Sequence, residues 1–158
     1  MKKLVLIALL FSLSATTIVA AQSKQAQKEV FASTYHNTKT LVNTQQFLYV
    51  GEMVYNNETR EVLNGEIKTL TIDKSEVSGK VISVRSDKKT INVTGKIEDY
   101  MASFDDQKQE VNISFNVKTE SATVTINIEI KPNGNAFLTV SSAGNEKISW
   151  TGKLKSMS

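Results

Sequence analysis

The sequence predicts an α+β protein: one N-terminal helix packed on a mostly antiparallel, strongly twisted β-meander of about seven or eight strands, either open or closed into a barrel. Three observations predict it. Apolar residues fall at near-helical spacings between Lys24 and about Asn43, they switch to every second position from Gln46 onward, and turn signals then recur at roughly eight- to twelve-residue intervals.

Ahead of the helix, Lys2 and Lys3 precede an apolar run from Leu4 to Leu13, and Val19-Ala20-Ala21 stands before Gln22. A short basic start, a core too short to span a bilayer and small residues at the cut are the marks of a secretory signal peptide. Residues 1–21 are therefore expected to be removed, leaving residues 22–158 as one domain. The 158 residues less these 21 leave 137, enough for one hydrophobic core. Of the 19 basic residues, Lys2 and Lys3 leave with the leader, so 17 face 16 acidic ones. Such a balance gives no field suited to nucleic acid or an anionic membrane. With no cysteine there is no disulfide, no thiol nucleophile, no Cys-ligated zinc and no N-terminal lipid anchor, and the core must suffice for stability. The expected location is the periplasm or the cell exterior, without stable membrane insertion.

In the helix, Val30, Phe31, Tyr35, Leu41 and Val42 make the apolar stripe, while Thr34, Asn37, Thr38 and Thr40 lower intrinsic propensity, so packing must hold it. Next, Phe47, Tyr49 and Met53 alternate with Leu48, Val50 and Val54, a strand apolar on both faces and so expected to be covered from both sides. Weaker strands are expected near Ile67 to Ile72, Val77 to Val84 and Thr90 to Ile97, with turns at Asp73-Lys74 and 86–89. The clearest pattern follows. Val111, Ile113, Phe115 and Val117 interleave with Asn112, Ser114 and Asn116, and after a turn over 118–122 Val124, Ile126, Ile128 and Ile130 interleave with Thr125, Asn127 and Glu129. These two strands should pair antiparallel, with their aliphatic faces inward. Pro132-Asn133-Gly134 reverses the chain into Ala136 to Ser142, Gly144-Asn145 reverses it again, and Ile148, Trp150, Gly152 and Leu154 share one face of the last strand.

Groups that might carry chemistry are few. His36 is the only imidazole and has no carboxylate near it in sequence, so it reads as an exposed structural residue and no histidine metal site is expected. Glu98, Asp99, Asp105 and Asp106 bracket Tyr100 and Phe104, but lack the alternate spacing and central Gly of a calcium loop, and read as a solvated loop. No catalytic residue, metal or cofactor is expected. Tyr49, Tyr100 and Trp150, with Tyr55, are the candidate ligand-facing residues, because an aromatic face with a polar handle suits a sugar or peptide groove; for Trp150 a packed core position is the favoured alternative.

The arrangement resembles DUF4251, a family of secreted bacterial proteins of unknown function found mainly in Bacteroidota. The matching features are the leader and helix, the Phe47-led strand, Ile72-Asp73 before Val77, and above all the closing run: Gly134, Ala136, 138–142 and Ile148-Ser149-Trp150-Thr151-Gly152. Trp150 stands where the family commonly has Tyr, and residues 77–81 replace its Pro-Tyr-Phe-Gly-like segment. The resemblance implies a secreted bacterial protein and brings no catalytic residue, ligand or partner.

The leading functional reading is thus an exported, non-enzymatic binding or scaffold protein working through a sheet face or edge, with an envelope protein or a small apolar ligand as partner. Three alternatives compete. They are a carrier holding an apolar molecule in a barrel-like cup, with Gly79 and Gly95 facing inward, an outer-membrane barrel, and a hydrolase using the acidic cluster. An enclosed pocket lined by Val111 and Val124 would mark the carrier.

Overall fold

The computed structural model describes residues 24–65, 68–142 and 147–157. The leader 1–21, the reversal at Gly144-Asn145 and residue 67 lie outside them.

Residues 24–44 form the helix α1. Its packed face runs through Phe31, Thr34, Tyr35, Thr38, Leu41 and Val42, all half-buried or buried at three- and four-residue steps. Val30, expected on that stripe, is 60% exposed, so the packed face begins one residue later. The threonines that weaken helix propensity are accommodated by donating their hydroxyls back one turn, Thr38 to the Thr34 carbonyl at 2.9 Å and Thr40 to that of His36 at 3.1 Å. The helix stops where Gln45 turns to a φ of 52°.

Eleven strands follow among the described residues: β1 (Gln46–Tyr55), β2 (Arg60–Val62), β3 (Thr69–Asp73), β4 (Glu76–Ser78), β5 (Lys80–Ile82), β6 (Thr90–Asn92), β7 (Gly95–Asp105), β8 (Glu110–Lys118), β9 (Thr123–Ile130), β10 (Ala136–Ser142) and β11 (Lys147–Ser156). They pair antiparallel in the order β11-β10-β9-β8-β7-β4-β3-β1, and β1 pairs again with β11 from Phe47↔Ser156 to Tyr55↔Ser149. Eight strands therefore close into a barrel, and β2 adds to β1 beyond the end of β3. The Pro132-Asn133-Gly134 reversal forms as the sequence indicates, with Gly134 at a φ of 79°.

The two mouths are closed differently. At one, α1 reaches the β7–β8 and β3–β4 turns, where Tyr35 and Lys39 bond Asp106 and Lys74 N–H bonds the Gln45 carbonyl. At the other, the β5–β6 hairpin buries Val81, Val84, Ile91 and Val93 and accepts the Trp150 indole N–H on the Ile82 carbonyl at 2.8 Å.

Inside, the alternation seen in the sequence is realised. Val111, Ile113, Phe115 and Val117 of β8, Val124, Ile126, Ile128 and Ile130 of β9, and Ala136, Leu138 and Val140 of β10 are all at most 2% exposed, with Phe47, Tyr49 and Trp150 at 0%. A small eight-stranded barrel has an interior just wide enough to be filled by such side chains. Asn112, Asn127 and Lys153 face water.

Two bulges alter the expected parity. In β1 the register slips between Gly51 and Met53, so Glu52 is extra, Val54 points inward and Met53 outward. Leu48 and Val50 on the outer face are half-buried rather than covered from both sides. In β7 the slip falls between Glu98 and Met101, with Asp99 at a φ of 55°. Consequently the acidic segment read as a solvated loop is a strand as far as Asp105, with Tyr100, Ala102 and Phe104 packed against the core. Where β1 and β11 close the barrel, Gly51 faces Gly152, and a Cβ on Gly152 would stand 2.1 Å from the Val50 carbonyl oxygen. The close approach of the two backbones at this seam requires glycine.

Candidate binding face

The residues most open to chemistry in the sequence are mostly spent on structure. Tyr49 and Trp150 are fully buried, and the Tyr49 hydroxyl donates to the Ala136 carbonyl at 3.1 Å. Burial pushes its phenol well above the ordinary range. Tyr100 is half-buried, stacks on Phe115 with ring centroids 5.7 Å apart and donates to the Val42 carbonyl at 3.4 Å. Burial raises its phenol to about 12. The Tyr49 and Trp150 rings are sealed inside, whereas Tyr100, although packed against the core, is also among the residues lining the outer trough.

The four carboxylates do not converge either. Asp99 sits in the bulge and accepts from the Asn116 amide at 3.2 Å. Asp105 accepts from the backbone N–H of Gln107 and Lys108 and so fixes the β7–β8 turn. Asp106 accepts from Lys39 at 2.9 Å and from the Tyr35 hydroxyl at 2.8 Å. Hydrogen bonds from Lys39 first, then Tyr35, hold its carboxyl below the usual value, which makes it a poor proton donor. His36 is exposed on α1. Among the described residues no three His, Asp or Glu side chains gather as metal ligands.

Among the described residues, the outer surface carries an arrangement suited to a ligand. A trough of about 930 Å3 crosses the strands and is lined by Tyr55, Tyr100, Met101, Ala102, Ser103, Asn112, Ile113, Ser114, Asn127, Ile128, Glu129, Phe137 and Thr139. Register explains why these residues meet. One rung runs Tyr55, Ser149, Thr139, Asn127, Ser114, Met101, and the neighbouring rung runs Met53, Thr151, Phe137, Glu129, Asn112, Ser103. Tyr55 and Phe137, both half-buried, form one wall, and beyond them a smaller depression of about 140 Å3 lies among Met53, Arg60 and Thr151. Met101, 64% exposed, ends the trough on β7. Sequence reading picks out Tyr55 but passes over Phe137 and Met101. The available signal is their parity: each stands at an outward position of a strand whose other outward residues are polar.

The model of the DUF4251 family, a domain of unknown function, matches residues 29–154. The chain belongs to this family. A crystal structure of a DUF4251 family protein from Bacteroides eggerthii DSM 20697, at 1.95 Å resolution, is similar to it with a TM-score of 0.69 at 17% identity, covering 79% of this chain and 89% of that one. At such identity the likeness shows that the DUF4251 barrel is shared. No curated protein matches the chain. The region common to the DUF4251 family includes residues 29–44 of α1 and every strand that lines the trough.

Proposed function

We propose that the protein is an exported, non-enzymatic, single-domain binding module of the bacterial periplasm or cell surface, which meets its partner on the outer face of β7–β10. The observation that carries this reading is the contrast between a barrel filled by Trp150, Tyr49, Phe47 and Phe115 and a broad trough on the outside. The leader-like residues 1–21 support export.

The same contrast weighs against the alternatives. Val111 and Val124, whose faces would line a cup, are packed to 0% and 2% exposure, and Gly79 and Gly95 stand against backbone atoms of Thr69 and Lys118 rather than an internal space. The polarity of the wall, aliphatic inside with Asn112, Asn127 and Lys153 outside, is the reverse of a barrel that faces lipid. The separate structural bonds of Asp99, Asp105 and Asp106 argue against a carboxylate pair acting on one substrate bond.

Hydroxyl-radical footprinting tests the reading, because Met101, Tyr55 and Phe137 are oxidisable side chains in the trough. Exported protein exposed to an extract of its native envelope should lose oxidation at these three while exposed Met157 keeps its own. Equal oxidation of all four with and without extract would refute an outer-face binding role.

A further inference from the structure

We propose that the outer trough is a binding site for a neutral oligosaccharide, an inference that deepens the binding role above and rests on it. Its floor decides the ligand class. Ser103, Asn112, Ser114, Asn127 and Thr139 are uncharged groups that both donate and accept hydrogen bonds. Toward the hairpin end of the strands, Asn116 and Thr125 bond each other and Asn116 reaches Asp99, whereas among the described residues the side chains of Asn112, Ser114, Asn127 and Thr139 make no such bond. They remain available to a ligand rather than to the fold.

Other ligand classes fit this floor poorly. An added peptide strand needs free backbone edges, and the backbones of β8, β9 and β10 are paired on both sides. A phosphate or nucleic-acid backbone needs cations, yet Arg60 lies at the rim and Lys131 is held by Glu110 and Glu129. That ion pair also compensates Glu129, the one charged group on the floor. A lipid would leave the Asn amides desolvated without partners. A sugar ring satisfies both parts of the site at once. Its hydroxyls pair with amides and hydroxyls of the floor, while a C–H face lies against Tyr55 or Phe137. From Tyr55 on β1 to Met101 on β7 the trough crosses five strand spacings of about 4.8 Å, about 24 Å along the surface, a length suited to several rings rather than one.

The side-chain amides of Asn112 and Asn127 provide a direct readout by two-dimensional NMR of the full exported protein. Titration with cellohexaose and, separately, with a linear mannohexaose should shift both amides in a saturable way for at least one sugar, with a dissociation constant below about 1 mM. Tyr55→Ala should weaken that binding about tenfold. Asn127→Ala, an exposed substitution that leaves the core untouched, should do the same and guards against loss of folding in the Tyr55 variant. Absence of saturation with either sugar up to about 10 mM, shifts elsewhere only, or unchanged affinity in both variants overturns the assignment. If the envelope extract still protects Met101, Tyr55 and Phe137 under those circumstances, the sugar class fails and the outer-face role stands; if that protection is also missing, both fail.

Discussion

Asp106 shows how single residues in this chain are committed to architecture. It joins the β7–β8 turn to α1 through Lys39 and Tyr35, and Lys39 in turn lies 5.2 Å from the Tyr35 ring centroid and 5.3 Å from that of Phe104. Because the folded carboxyl titrates below its ordinary value of 3.8, the contact contributes stability above that pH, and the contribution disappears as pH falls through the lower folded value. Thermal unfolding from pH 6 downward should therefore show a steeper loss of midpoint below about pH 4 in the natural protein than in Asp106→Asn. Superimposable profiles would mean that the tie is too solvated to matter. Residue type alone could not disclose this role, since the partners are some 70 positions away in sequence. Nor could it separate Tyr55, which faces the trough, from Tyr49 six residues earlier, which is sealed inside, because an uncounted bulge residue, Glu52, lies between them.

Among the elements, β8, β9, β10 and β11 were the most legible in sequence. Apart from Gly152 at the seam, their inward positions are aliphatic or aromatic and their outward positions mainly Asn, Ser, Thr, Glu and Lys, so period two survives without interruption. The β7 strand was hidden because its bulge at Asp99 puts Ile97 and Tyr100 on the same face three residues apart, while carboxylates at both ends imitate a loop. Length hid β2, whose three residues carry no pattern. For the clearest element the energetic consequence is direct: Ile128 is 1% exposed, and Ile128→Ala should cost about 2 to 5 kcal/mol from lost transfer energy and the cavity left behind. A cost under about 0.5 kcal/mol in urea unfolding would mean that the inward face of β9 is misplaced.

At the scale of the whole molecule, closure was the feature the sequence left open. Whether β1 meets β11 depends on the summed twist and stagger of all the strands between them, a long-range property that local periodicity does not encode. Once closed, the barrel has too many large side chains to be hollow, and its broad trough lies on the outer wall, where the strand register brings together residues spread between Tyr55 and Thr139. The trough is legible only after pairing is known. The natural chain has no cysteine, so one introduced thiol per variant reports one position without background. Maleimide labelling of native Asn127→Cys, Thr139→Cys, Ile113→Cys and Ile128→Cys is the most direct measurement of a solid barrel whose polar face is the outer one. Positions 127 and 139 should label at nearly the rate of the unfolded chain, while 113 and 128 should stay protected until the protein unfolds. Equally fast labelling at 128 and 127 in the folded state would contradict the account.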